Sequence, residues 1–175
     1  ELWQEVEGNS AAAIERFGES RELVFIRAAA LERLGETDAS EALFLSLVES
    51  DPDDANAANY LGYMWADRAV YLDKAMDLIA RAVALDPDNA AYLDSLGWVN
   101  YRRGDLDEAE RWLRRAVDLV GGDGDGTIYC HLGEVLLAND AHEEGRRFLQ
   151  LGLDMGCDDP EHVRSLLGRK NNDQP

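Results

Sequence analysis

The sequence predicts an all-α protein built as an α-solenoid: about four antiparallel helix pairs in series, closed by a C-terminal capping helix. Three observations predict it. The dipeptides Leu61-Gly62, Leu96-Gly97 and Leu132-Gly133 recur 35 and 36 residues apart. Each is followed by two small residues spaced by seven: Ala75 and Ala82, Ala109 and Ala116, Gly145 and Gly152. Leu and Ala are abundant, β-branched residues are sparse and only four Pro occur, a mix that favours helix over strand.

A spacing of seven is two helical turns, so both small residues lie on one face. Between them stands a large apolar residue: Ile79, Leu113 or Leu149. A small residue lets a neighbouring helix backbone approach, and the large one fills the groove beside it. The punctuation agrees. Asp51-Pro52-Asp53-Asp54 and Asp86-Pro87-Asp88-Asn89 end one helix and cap the next, because Pro cannot continue a helix and Asp or Asn accepts the free N–H groups of a first turn. Acidic capping boxes are expected at Asp38 with Glu41, Asp105 with Glu108, and Asp140 with Glu143. Gly35 and Gly104 suit the tight turn inside a pair.

Read in order, residues 1–20 hold one helix or the remnant of an earlier repeat. Residues 21–157 form the array, divided at about 21–54, 55–89, 90–125 and 126–157. The first unit is degenerate: it keeps Ala28, Leu31, Gly35, Ser40 and Phe44, but Leu47 stands where a small residue is expected. The second carries one extra residue around Arg68-Ala69-Val70. Residues 158–170 read as a capping helix, since the end of a solenoid needs a polar outer face, and 171–175 as a disordered tail.

These columns resemble the tetratricopeptide repeat. Tyr60-Leu61-Gly62-Tyr63, Ala75, Ala82 and Asp86-Pro87 match its pattern in one unit; Leu96-Gly97, Gly104, Glu108-Ala109 and Ala116 match in the next. The resemblance covers roughly residues 21–157 and implies a right-handed solenoid that binds protein. A narrower likeness rests on Leu61-Gly62-Tyr63 with Ala66-Asp67-Arg68, Leu93-Asp94-Ser95-Leu96-Gly97-Trp98-Val99 with Tyr101-Arg102, and His131-Leu132-Gly133-Glu134. It is similar to bacterial periplasmic lipoproteins of this class, some of which are adaptors for a carboxy-terminal-processing protease. That likeness implies a parent protein tethered to an outer membrane; the residues themselves leave the compartment open.

In such a stack the first helix of each pair lines the concave face. The groove residues expected on that ground are Asn56, Asn59, Tyr63 and Asp67, then Asp94, Trp98, Tyr101 and Arg102, then Thr127, Cys130 and Glu134. Aromatic side chains give wide contact area with few rotors, and amides pair with an extended backbone. Against this stands the plainer reading of Trp98 and Tyr63 as packing residues between repeats. A groove with Asn56, Asn59 and Asp94 in place of Lys and Arg suits a neutral or basic segment better than a free carboxylate.

Charge narrows the function classes. Asp and Glu number 36 against 17 Lys and Arg, a net charge of −19. That balance opposes binding to polyanionic nucleic acid. No apolar run approaches the roughly 20 residues that span a bilayer. No catalytic constellation, cofactor or metal site is expected. Asp123, Asp125, Thr127 and Glu134 fall at calcium-loop spacing, but Ile128 takes the place of the Gly that the loop requires. The three His lie in different helices, and Cys130-His131 are neighbours whose side chains diverge on a helix. The expected function is therefore a non-catalytic scaffold or adaptor. The competing reading is a structural segment that self-associates through its solenoid ends.

Overall fold

The computed structural model describes residues 1–168, and the expected tail at 171–175 lies outside the described residues. Among the described residues ten α-helices follow one another: α1 (Leu2–Phe17), α2 (Arg21–Arg33), α3 (Thr37–Ser50), α4 (Ala55–Asp67), α5 (Leu72–Leu85), α6 (Ala90–Arg103), α7 (Leu106–Val120), α8 (Gly126–Ala138), α9 (His142–Met155) and α10 (Pro160–Gly168). A 3₁₀ turn, Gly121–Asp123, precedes α8. Among these residues there is no strand, and no helix is long and apolar enough to cross a membrane.

Helix starts follow from capping side chains. Ser20 accepts a hydrogen bond from the Leu23 N–H, Asp54 from Ala57, Asn89 from Ala91 and Tyr92, and Asp125 from Thr127. Each satisfies a donor that the helix itself leaves unpaired.

The four turns inside the pairs share one backbone hydrogen bond. Glu36 N–H donates to Leu31 O, Val70 to Trp65 O, Asp105 to Asn100 O and Ala141 to Leu136 O, at 2.8–2.9 Å. This is the terminal bond of a Schellman turn, which requires a left-handed residue just before the donor. Glycine fills that place twice, as Gly35 (φ 80°) and Gly104 (φ 87°). Ala69 (φ 53°) and Asp140 (φ 60°) fill it in the other two turns. In the α4–α5 turn the left-handed Tyr71 (φ 47°) is interposed before α5 begins.

This turn corrects two of the three capping boxes. Asp105 caps α7 through the Glu108 N–H, as expected. The N-cap of α3 is Glu36, not Asp38, and that of α9 is Ala141, not Asp140; neither makes a side-chain cap bond. The turn dictates the register: the cap follows the left-handed residue, and Asp140 is itself that residue. Replacing Asp140 with glycine removes steric cost at positive φ and is expected to stabilise the fold by about 0.5–1 kcal/mol. Urea unfolding reads that shift, and a loss of stability would show that the Asp140 side chain contributes more than its backbone strain costs.

The pairs pack through the predicted small–large–small stripes. Ala75, Ile79 and Ala82, then Ala109, Leu113 and Ala116, have no exposed surface; Gly145, Leu149 and Gly152 are likewise buried. Ile79 lies against Gly62, Leu113 against Gly97 and Leu149 against Gly133; a Cβ on Gly97 would sit 2.5 Å from Leu113 Cγ. In the first pair, Ser40 takes the small-residue place and donates to Ala28 O at 2.8 Å. Phe44 fills the space beside it, stacked on Tyr60 (4.5 Å) and edge-on to Phe25 (5.2 Å). Leu47 is buried in the same cluster, so the departure from a small residue there is absorbed by an aromatic core.

Candidate partner-binding groove

The first helices α2, α4, α6 and α8 line a concave cavity of about 640 Å³, and the α9–α10 turn with α10 closes its far side. Tyr60, Tyr63, Trp98 and Tyr101 form its aromatic wall. Five carboxylates stand around them: Glu32, Asp67, Glu134, Asp158 and Asp159. Arg33 of α2 reaches across to Asp158, with both guanidinium nitrogens 3.3 Å from a carboxylate oxygen. Both side chains are largely exposed, so this contact is worth little in stability; it marks where the two ends of the array approach each other.

The floor is a layered stack. The Trp98 ring lies on the His131 imidazole, 4.0 Å between centroids and 18° from parallel. Its indole N–H donates to Asp67 Oδ1 at 3.3 Å. The Arg102 guanidinium sits 5.7 Å from the Trp98 centroid. His131 Nδ1 meets both oxygens of Asp94, at 2.9 and 3.1 Å. Both members of this pair are buried. Burial pushes the imidazole toward neutrality, but the charge and hydrogen bond of Asp94, helped by Glu134 and Asp67, outweigh it and raise its pKa.

The rim is acidic on balance, its five carboxylates outnumbering Arg33, Arg68 and Arg102. Tyr60 donates to Glu32 at 3.4 Å. Burial raises the Glu32 pKa against the opposing charge of Arg33. Burial, then Glu32, pushes the Tyr60 phenol up to about 12. Tyr63 is also held well above its ordinary value, first by burial and then by Asp67 and Asp94. Glu134 receives His162 of α10 at 3.2 Å. These shifts report low solvation first, and for the two tyrosines the added field of Glu32, Asp67 and Asp94, an excess of negative charge that favours a cation over an anion.

A family model describing the tetratricopeptide repeat matches residues 8–55, 27–90 and 63–124. The chain belongs to the tetratricopeptide repeat family. The TPR repeat-containing protein PA4667 of Pseudomonas aeruginosa is 36% identical over 132 residues, covering 75% of this chain. The chain spans about a fifth of that relative's length, 21%. Solved TPR structures share the fold at low identity. A thermophilic TPR protein of Thermus thermophilus superposes with a TM-score of 0.78 at 19% identity, covering 94% of this chain and 88% of that one. The pilF protein of Pseudomonas aeruginosa gives 0.69 at 13% identity, covering 94% and 77%. MamA from Desulfovibrio magneticus gives 0.64 at 16%, covering 87% and 94%. The chain is thus a right-handed TPR solenoid, a protein–protein interaction scaffold with no enzyme family indicated.

Within this TPR array, Tyr63, Asp67, Trp98, Tyr101, Arg102 and Glu134 come together on the cavity, with Thr127 and Cys130. Three expected groove residues do not. Asn56 accepts the Tyr92 hydroxyl at 2.6 Å, Asp94 lies beneath the floor against His131, and Asn59 Oδ1 is buried without a hydrogen-bond partner. Trp98 is 5% exposed, so it supports the wall more than it offers surface. Sequence reasoning missed Glu32, Arg33, Tyr60, His131, Asp158 and His162. Tyr60 precedes Tyr63 by three residues and Asp67 by seven, and His131 precedes Glu134 by three, so helical spacing carried a signal for those two. Nothing local marks Asp158 or His162, which reach the cavity only because the chain turns back after α9. Among the described residues no group of three or more His, Cys, Asp or Glu is placed to hold a metal ion. Asp125, which stands at calcium-loop spacing in the sequence, caps α8.

Proposed function

We propose that this TPR module holds a neutral or basic extended segment of a partner protein in its concave groove. The observation that carries this reading is the aromatic cavity, whose lining sets five carboxylates against three arginines, Arg33, Arg68 and Arg102. Tyr60, Tyr63 and Tyr101 offer half-buried rings, and Asp67 and Glu134 stand beside them as acceptors for a Lys or Arg side chain. A chain with net charge −19 also steers basic partners toward it. The residues that carry binding under this proposal are Tyr63, Asp67, Tyr101 and Glu134, with Trp98 and Arg102 as the backing layer.

Three peptides of equal length test this, one Lys-rich, one uncharged and one Glu-rich, read by calorimetry against wild type and an Asp67→Asn/Glu134→Gln variant. The Lys-rich peptide is expected to bind best, to weaken with salt, and to lose on the order of 10-fold in affinity in the variant. Equal or tighter binding of the Glu-rich peptide would sink the charge assignment.

A second reading has its own support. Leu2, Trp3 and Phe17 of α1 are 66%, 41% and 75% exposed, an apolar end consistent with stacking on another helix pair or another copy. Self-association that rises with concentration in sedimentation and falls in a Trp3→Glu/Phe17→Glu variant would favour this structural role. The adaptor role for a carboxy-terminal-processing protease, and a periplasmic setting, rest on the sequence likeness alone. Recovery of such a protease by wild-type protein, and not by the groove variant, would support them.

A further inference from the structure

We propose that Cys130 and Cys157 are a convertible dithiol that closes to an intramolecular disulfide, tying the α9–α10 turn to α8 at the wall of the cavity. Both are free and buried, in one cluster with Leu149 and Val163. Cys130 Sγ faces the Leu149 carbonyl at 4.0 Å, inside that same cluster. The backbone places the two cysteines together. A Cβ on Gly126 would lie 3.0 Å from the Cys157 nitrogen, and Thr127 Oγ accepts the Asp158 N–H at 3.2 Å. The turn is therefore pinned to the first turn of α8 on either side of Cys157. Cys130 is four residues after Gly126 and three after Thr127, so it lies on that same face.

The pair has no third donor to make a structural metal site among the described residues. Both residues line the cavity, which gives a small oxidant a route to them. Cys157 is the more accessible of the two, 8% exposed against 3% for Cys130, so it is the sulfur that meets the oxidant first. The oxidant is a small-molecule disulfide. The Cys157 thiolate attacks it, forming a mixed disulfide and expelling one thiolate, which takes up the proton Cys157 lost. Cys130, giving up its proton, then attacks the Cys157 sulfur and expels the second thiol. Two cysteines are oxidised and one disulfide is reduced to two thiols. The consequence falls on the groove, because Asp158, the partner of Arg33 across the cavity, follows Cys157 directly.

The experiment is incubation of the full chain with excess oxidised glutathione, followed by intact-mass measurement, non-reducing peptide mapping and thermal unfolding. The expected result is a monomer lighter by two hydrogen atoms, with one Cys130–Cys157 linked peptide. The melting temperature should rise by roughly 5–10 °C and return with dithiothreitol. A Cys130→Ala variant should stop at the Cys157 glutathione adduct. Persistent adducts on the wild-type monomer, disulfide-linked dimers, or two thiols left unreacted would each overturn the proposal.

Discussion

Gly152→Ala is expected to lower stability by about 3 kcal/mol, and with it the melting temperature by roughly 10 °C. The added Cβ would lie 2.4 Å from Cys130 Sγ, 2.7 Å from Gly126 O and 2.9 Å from Cys130 N. Two of those three atoms are backbone of α8, so no rotamer change relieves the contact. Relief requires α8 and α9 to separate. Glycine occupies both sides of that contact: Gly126 and Gly133 on α8, Gly145 and Gly152 on α9. Elsewhere alanine serves in the second helix, as Ala82 and Ala116. The fourth pair is therefore the one whose second helix has no room for a methyl group at these two positions. Gly8→Ala is the control, since a Cβ added to that helical glycine would meet no atom within 4 Å. It should hold or raise stability, because alanine restricts the unfolded chain and suits a helix interior. Chemical denaturation of the two variants side by side gives the comparison. A Gly152→Ala protein as stable as wild type would mean that the α8–α9 interface is looser than its geometry implies.

Asp94→Ala is expected to cost a similar amount, about 3 kcal/mol, and to do so in a pH-dependent way. The substitution leaves the buried imidazole of His131 without its anion. In the wild type the folded pKa of His131 is raised above its ordinary value of 6.5. Its contribution to stability is then fully present below the unfolded pKa and is lost as pH rises through the folded one. Without Asp94, burial dominates and disfavours the charged ring, so acid should destabilise the variant. The gap in unfolding free energy between the two proteins should be widest below the ordinary imidazole range, near about pH 5.5, and shrink as pH rises through the raised pKa of the folded wild type. The charged groups facing the ring come from three helices: Asp67 from α4, Asp94 from α6 and Glu134 from α8 itself. Urea unfolding across that range checks the prediction, and a gap that stays constant with pH would show that His131 does not carry a proton in the folded state at low pH. The outcome bears on the groove as well. Trp98 lies on the His131 ring, so the pair sets the position of the aromatic wall.

Much of the fold was legible in the sequence because its causes are local and periodic. Leu96-Gly97 with Ala109, Leu113 and Ala116 specifies a small–large–small helix contact without any knowledge of distant residues. The capping side chains Asp54, Asn89 and Asp105 act within three residues of themselves. The start of α9 was not legible, because Asp140 adopts a backbone conformation that its residue type does not announce. The groove was half legible. Helical spacing gathers Tyr63 with Asp67, and Trp98 with Tyr101 and Arg102, on one face of each helix. It could not tell that Asp94 would turn inward to His131 or that Asn56 would bond Tyr92.

The sequence by itself determined that this protein is a TPR solenoid, that Asp54, Asn89 and Asp105 start three of its helices, and which stripes of small and large apolar residues hold them together. Periodicity, helix capping and side-chain size are properties of short segments, and they repeat from unit to unit. Only the tertiary structure decided that Arg33 meets Asp158, that His162 meets Glu134, and that Cys130 and Cys157 share one cluster. Those contacts depend on the superhelical path, which sums small rotations at every helix interface. They therefore join residues that no local pattern relates.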